Sequence, residues 1–415
     1  MRFNPQTPSL ESDTAAPVED VNPFLDNVAD ADVAEEVTPE VAIPDAVLNE
    51  DASNSPEAVE AQAQAAATEV AEAVNEVEDL GVAVVGLESI AIQLRRIQDA
   101  GATVSAESVS FLQIAVDNAC RKFPAVETSV PAMEEFVLNP QRASTVSLES
   151  VGVKIKAAFE AFINMIKNLM QRIAAFLGHI TSGGAVAERK AKSLLDKLAK
   201  VNTNAKSTKE ISYPAAIVNP VLSAAAINKL TDTISTVDKA KFSGLKDVFD
   251  RMQTGKAVTV GELTEQLHKV FDSYGKFADD AYIGNLSFKN DDFPPTIVLV
   301  DAEAKSYPCP NQKTVKDYLE ANIKLATQIT NLKASSRERA TVLGQLMASL
   351  KKTQDSMSKD PGAKTGDLTL IRHAVQFVNK LVSFETRLLG RALQASNAIN
   401  NVCASAITAL EAYDK

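Results

Sequence analysis

The stretch VGVKIKAAFEAFINMIKNLMQRIAAFL, residues 151–177, decides the fold class. Ile155, Phe159, Phe162, Ile166, Leu169, Ile173 and Phe176, continued by Ile180, follow one another in alternating steps of four and three. An α-helix places such positions on a single stripe, whereas a half-buried strand would alternate every second residue. Ile163, Met170 and Leu177 widen the stripe, while Lys154, Lys156, Lys167 and Arg172 lie off it and make the other face basic. The spacing predicts a helix of roughly thirty residues starting near Ser150. GHITSGG at 178–184 reads as its end, since Gly183 and Gly184 suit a C-terminal cap or turn. AVAERKAKSLLDKLAKV at 185–201 then predicts a second basic helix carrying Arg189, Lys190 and Lys192, so that 150–210 forms a basic amphipathic helical hairpin.

Downstream, 211–310 alternates helical patterns (219–239, 242–252 and 260–282) with short turns. TIVLV at 296–300, a β-branched run following Pro294 and Pro295, reads as a strand, and NLSF at 285–288 is its candidate partner in a small hairpin. In 311–415, two long amphipathic patterns, Lys313 to Ser358 and Leu368 to Ala412, flank KDPGAKTGD. Pro361, Gly362 and Gly366 mark a turn there, which predicts an antiparallel helical hairpin.

Upstream, 80–149 reads as a small helical unit and linker. LESIAIQLRRIQDA and SVSFLQIAVDNACRKF carry helical spacing, AES at 106–108 looks like a helix start, and Pro124, Pro131 and Pro140 interrupt the remainder. Residues 1–79 contain Arg2 as their one basic side chain among many Asp, Glu, Ala, Val and Pro. Such a segment has little apolar surface to offset its ordering entropy, so it reads as largely disordered apart from one alanine-rich helix from Pro56 to Asp79. The predicted fold is mainly α: an acidic disordered N-terminal propeptide followed by a helical-bundle body with long antiparallel helices and at most a small β-hairpin.

The net charge of -12 conceals a segregation. Up to Glu149 there are 28 acidic and six basic side chains, and from Ser150 onward 26 acidic and 36 basic, so the halves carry about -22 and +10. An acidic tail on a helical domain is the plainest account of this pattern.

Catalytic patterns do not emerge. His179, His268 and His373 are far apart and form no metal-binding spacing, and no phosphate loop, dinucleotide fingerprint or nucleophile elbow occurs. The pairs Asp279-Asp280 and Asp291-Asp292 read as solvated loop carboxylates, since adjacent carboxylates on a helix point apart. Cys120, Cys309 and Cys403 are odd in number and widely spaced, which fits a reducing compartment better than a disulfide framework. The N-terminal MRFNPQTPSLESD lacks a charged-then-apolar signal pattern, and no run of eighteen apolar residues occurs, so synthesis in the cytoplasm is the expectation. Neither an enzyme activity, a cofactor, a metal nor a small-molecule substrate is expected.

Leu-Glu-Ser occurs three times, at 10–12, 87–89 and 148–150, preceded by the small residues Ser9, Gly86 and Ser147. The third copy stands where the charge reverses. Together with the acidic leading segment, GLESI at 86–90, SVPAMEEFVLNPQRASTVSLES at 129–150 and the basic amphipathic stretch after it, the chain resembles the internal head (inner body) proteins of phiKZ-like giant tailed bacteriophages. The resemblance covers about residues 80–200. It implies a virion structural protein cut by a prohead protease after the Glu of a small-x-Glu motif. Carried over by position, the cut falls between Glu149 and Ser150, with earlier ones at Glu88-Ser89 and Glu11-Ser12. Ser105-Ala106-Glu107 and Ala132-Met133-Glu134 also meet the minimal pattern but are not expected to be cut, because helical structure or a helix start is expected there.

The implied partners are the prohead protease, other capsid or inner-body proteins, and packaged DNA. The DNA would be held without sequence preference through Lys154, Lys156, Lys167, Arg172, Arg189, Lys190 and Lys192, inside the virion. Two other readings compete: a membrane-active or pore-forming helical protein released by proteolysis, and an intracellular helical scaffold or adaptor with an acidic tail.

Overall fold

A computed structural model describes residues 56–99, 105–121, 139–202, 205–240, 242–254, 256–274, 277, 280–289, 295–332, 341–342, 344–345, 348–349, 351–352 and 365–412, all within one compact unit. The expected disorder of the first 55 residues, the Glu11-Ser12 site and the turn at 359–364 lie outside the described residues.

The body is mainly α, as expected, with two small antiparallel strand pairs. Its elements are α1 (Pro56–Asp99), α2 (Ala106–Cys120), α3 (Pro140–Leu198), β1 (Glu210–Tyr213), α4 (Ala224–Asp238), α5 (Ser243–Gln253), α6 (Val260–Tyr274), β2 (Leu286–Lys289), β3 (Thr296–Leu299), β4 (Lys305–Pro308), α7 (Gln312–Thr330) and α8 (Thr365–Glu411).

Several starts follow local chemistry. The Ser105 side chain accepts from the Ser108 amide to cap α2, Ser223 from Ala226 to cap α4, and Asn311 from Thr314 to cap α7. At α6, Thr259 and Glu262 exchange bonds in a capping box: Thr259 Oγ1 accepts from the Glu262 amide at 3.1 Å, and the Glu262 carboxylate accepts from the Thr259 amide at 3.0 Å. The bond from the Thr259 amide to the ionised form, with Arg251 beside it, holds the Glu262 carboxyl below its usual range.

α3 corrects the largest expectation. It is one helix of 59 residues, so 140–149 is helical and not linker, and 150–210 is not a hairpin. Gly183 and Gly184 do not end the helix; they allow other helices to approach it. A Cβ on Gly183 would stand 2.6 Å from Leu393 Cδ2 and 3.2 Å from Val59 Cγ1, and one on Gly184 would stand 3.0 Å from the Thr330 amide nitrogen. The glycines read as a stop are a crossing point, because without side chains they let two neighbours come close.

Those contacts define the packing. α1 runs antiparallel to α3, with Val59 by Gly183, Glu69 by Arg172 and Gly81 by Phe162. α7 is also antiparallel to α3, with Ile329 and Thr330 by Gly184 and Gln312 Nε2 donating to Leu198 O and Val201 O. α7 and α1 thus cover successive halves of α3, end to end. α8 runs parallel to α3 beside both: Leu393 meets Gly183, Asn400 donates to Ala187 O and Lys190 donates to Asn401.

The hydrophobic stripe of α3 packs inward where its side chains are described, with Phe162, Ile166, Leu169, Phe176 and Ile180 buried and Ile173 half-buried against the core. α1 is longer and more structural than its composition suggested. Instead of ending at Asp79 it continues through GLESI to Asp99, absorbing the helix expected separately there. Its buried residues Val59, Ala63, Ala66, Val70, Ala73, Val77, Leu80, Val84 and Leu87 recur in steps of four and three, the seam of a coiled coil.

The β2–β3 pair is the anticipated hairpin, with Phe288 opposite Ile297. The second pair, β1 with β4, was not anticipated. α7 ends at Thr330, well before the expected Ser358, and lies antiparallel to α8, which buried Asn322 records by donating to Ser396 O and Asn400 Oδ1. Phe271, Tyr274, Phe277, Phe288 and Phe384 form an aromatic cluster joining α6, β2 and α8.

Candidate processing sites and basic face

Glu149 and Ser150 occupy backbone positions inside α3, ten residues after its start at Pro140. The surroundings still favour local opening. Asn139 makes no side-chain cap bond, and Arg142, Thr145, Val146 and Val153 are exposed, so the first buried side chain described in α3 is Lys154. Unwinding 140–150 therefore disturbs no described core contact, and uncapped helix ends fray readily. Glu88 is placed differently. It lies in mid-α1 directly after fully buried Leu87, and the Ser89 hydroxyl donates to Val85 O. Opening the helix there would pull at the end of the seam. The two motifs, alike in sequence, thus differ in what their exposure costs.

The expected basic face divides in two. Lys154 is a correction: it is 6% exposed, and its ammonium lies 2.6 Å from Asp117 Oδ1 on α2, so it is no solvent-facing cation. Arg172 donates to Glu69 O on α1, and Lys190 to Asn401 Oδ1 on α8. Lys154, Arg172 and Lys190 are spaced by eighteen residues, about five turns, and so share one line along the helix. Lys167 and Arg189 are exposed; Arg189 also donates to Ala185 O, and exposed Lys192 pairs with Glu188 one turn earlier. The Lys156 side chain lies outside the described residues. A solvent-facing cationic surface is thus carried by Lys167, Arg189 and Lys192.

Sequence reasoning missed the residues by which the body grips α1. Asn379 Nδ2 on α8 donates to Val74 O at 3.1 Å, and Asn397 Nδ2 donates to Glu60 Oε2 at 3.2 Å. Burial raises the Glu60 carboxyl above its usual range, the Asn397 bond pulling the other way. The four-three spacing from Val59 to Leu87 was a usable signal, obscured by the Ala and Glu content around it.

Among the described residues no group of three His, Cys, Asp or Glu stands together as metal ligands, and no helix is long and apolar enough to cross a membrane. The feature that remains is a long-helix scaffold with Leu-Glu-Ser motifs at two positions along it. Residues 29–225 match the family model of phiKZ-like phage internal head proteins. Over that region the chain is similar to the phiKZ-like internal head proteins. No curated protein and no solved structure matches it. The family is one of structural proteins of the capsid interior, and the match reaches further upstream than the motifs by which the resemblance was read. The matched region holds α1, α2, α3 and β1 and ends as α4 begins, so the α1–α3 pair lies wholly inside it.

Proposed function

We propose that this protein is a phage internal head protein, made as a precursor and cut after Glu149 by the prohead protease, and that its basic body then resides beside packaged DNA and other inner-body proteins. The observation that carries this reading is the reversal of charge, from about -22 to about +10, at the Ser147-Leu148-Glu149 motif. While attached, the acidic half repels nucleic acid and keeps the body free for assembly; once cut, the remaining positive charge favours the DNA-filled interior. The contacts are with phosphates and sequence-independent, with Lys167, Arg189 and Lys192 as the exposed cations. Glu88 and Glu11 are secondary cut positions.

The membrane-active alternative draws on the apolar stripe of α3, which is buried here, with α1 and α8 packed against that helix. Mass spectrometry of the protein from purified particles tests the proposal. A mature chain beginning at Ser150 is the expected result, and one beginning at Met1 or Arg2 overturns it.

A further inference from the structure

The seam of α1 runs from Val59 to Leu87 and ends one residue before Glu88. Along it the body reaches out with three donors: Asn397 to Glu60, Arg172 to Glu69 O and Asn379 to Val74 O. The antiparallel register with α3 holds from Val59 by Gly183 to Gly81 by Phe162. If this helix left, Phe162 and the rest of the stripe on that half of α3 would lose their cover, because α7 covers only the half beyond Gly184. A contiguous apolar strip of that length is not stable in water without a partner.

We propose that segment 56–88 stays in the groove between α3 and α8 after processing, as part of a separate non-covalently bound chain. The proposal rests on the cleavage reading above. The seam is held by burial that does not depend on the peptide link to the body. The heptad positions are apolar, so salt does little to loosen them, and the three donors fix the register. Segment 56–88 contains eight acidic and no basic side chains, and residues 12–55, joined to it in a chain cut after Glu11 and Glu88, add twelve acidic ones, so its retention moves the mature assembly from about +10 to about -10. The retained helix then limits how strongly the body holds DNA.

The test uses the full chain with a recognition sequence for an unrelated site-specific protease placed within 122–138, upstream of α3. After cutting, native mass spectrometry and size-exclusion chromatography are run at low and at high salt. The expected result is one species containing both fragments in equal number, at either salt. Ala73→Asp, which puts a carboxylate at a fully buried seam position, should weaken retention at least tenfold, while Ala65→Asp, on the exposed side of the same helix, should leave it unchanged. Release of the N-terminal fragment from the unsubstituted protein, or its replacement by a second copy of the body, overturns the proposal. Because the cut is engineered, either outcome is independent of whether the phage protease acts at Glu149, which the N-terminal residue of the mature chain decides separately.

Discussion

The Lys154 ammonium lies 2.6 Å from the Asp117 carboxylate, and this ion pair ties the early part of α3 to α2. The lysine is nearly enclosed, with 8% of its side chain accessible, whereas the aspartate is 52% accessible. It is the first of three cations at eighteen-residue intervals that connect α3 to three other helices, the others being Arg172 to α1 and Lys190 to α8. Cations read from the sequence as a nucleic-acid surface act here as ties between helices.

Removing the acceptor should therefore cost more than removing both charges. Asp117→Ala leaves an enclosed ammonium without its partner and should destabilise the protein by about 1–3 kcal/mol, the partial exposure of Asp117 keeping it below a fully buried pair. The double change with Lys154→Met should recover most of that loss. Urea unfolding of the unsubstituted protein and the two variants measures it, and an unchanged midpoint for Asp117→Ala would show the pair to be idle.

The two glycines at the helix crossing should tolerate substitution far less than a glycine one and a half turns earlier. Gly184→Ala drives a methyl against the Thr330 amide and the Ile329 side chain and should cost about 1–3 kcal/mol. Gly178→Ala meets nothing within 4 Å and should stabilise by about 0.5–1 kcal/mol through helix propensity alone. Equal thermal shifts for the two would contradict a close approach at Gly184.

Glu149→Gln should block the cut in assembling particles while leaving the fold unchanged. The substitution keeps the size and hydrogen-bonding capacity of the side chain and removes its charge, so it addresses the protease subsite. An unrelated protease should cut slowly at 149–150 in both versions, because the carbonyls there are engaged in helix hydrogen bonds until the first turns open. Continued release of a chain beginning at Ser150 from the Gln variant would remove Glu149 as the recognised residue.

Stability should fall on the alkaline side. Burial pushes the Cys403 thiol up to about 12, and Tyr213, Tyr318 and Cys309 are raised as well, burial being the largest cause for each. A raised value means the folded state holds its proton after the unfolded chain has begun to release it. The contribution is complete below pH 9, the ordinary thiol value, and is lost as pH climbs towards 12. Thermal midpoints should hold from pH 8 to 9 and decline from there to pH 11, and Cys403→Ala should flatten that decline while lowering the midpoint at pH 8 through the space it leaves.

Much of the fold was legible in the chain because the information is local. Four-three spacing gives the buried stripe of α3, Ser105 the start of α2, and the β-branched TIVLV run with NLSF the β2–β3 hairpin. The β1–β4 pair was not legible, since ISY at 211–213 and KSYP at 305–308 are too short to signal a strand and find each other across nearly a hundred residues. The acidic helix was half legible: its composition announces charge and mobility, yet its seam repeats as regularly as that of α3.

By itself the sequence determined the helical class, the segregation of charge and the positions of the small-x-Glu motifs, all of which are properties of residues read in order. Tertiary structure alone decided that Gly183 and Gly184 continue a helix, that Lys154 faces Asp117 and not solvent, and that α1 is part of the core. A glycine pair either breaks a helix or admits a neighbour, and a lysine on a helix flank is either solvated or paired. Which one occurs depends on whether a second helix arrives at that point, and the arrivals of α1, α7 and α8 along α3 are set by packing between segments distant in the chain.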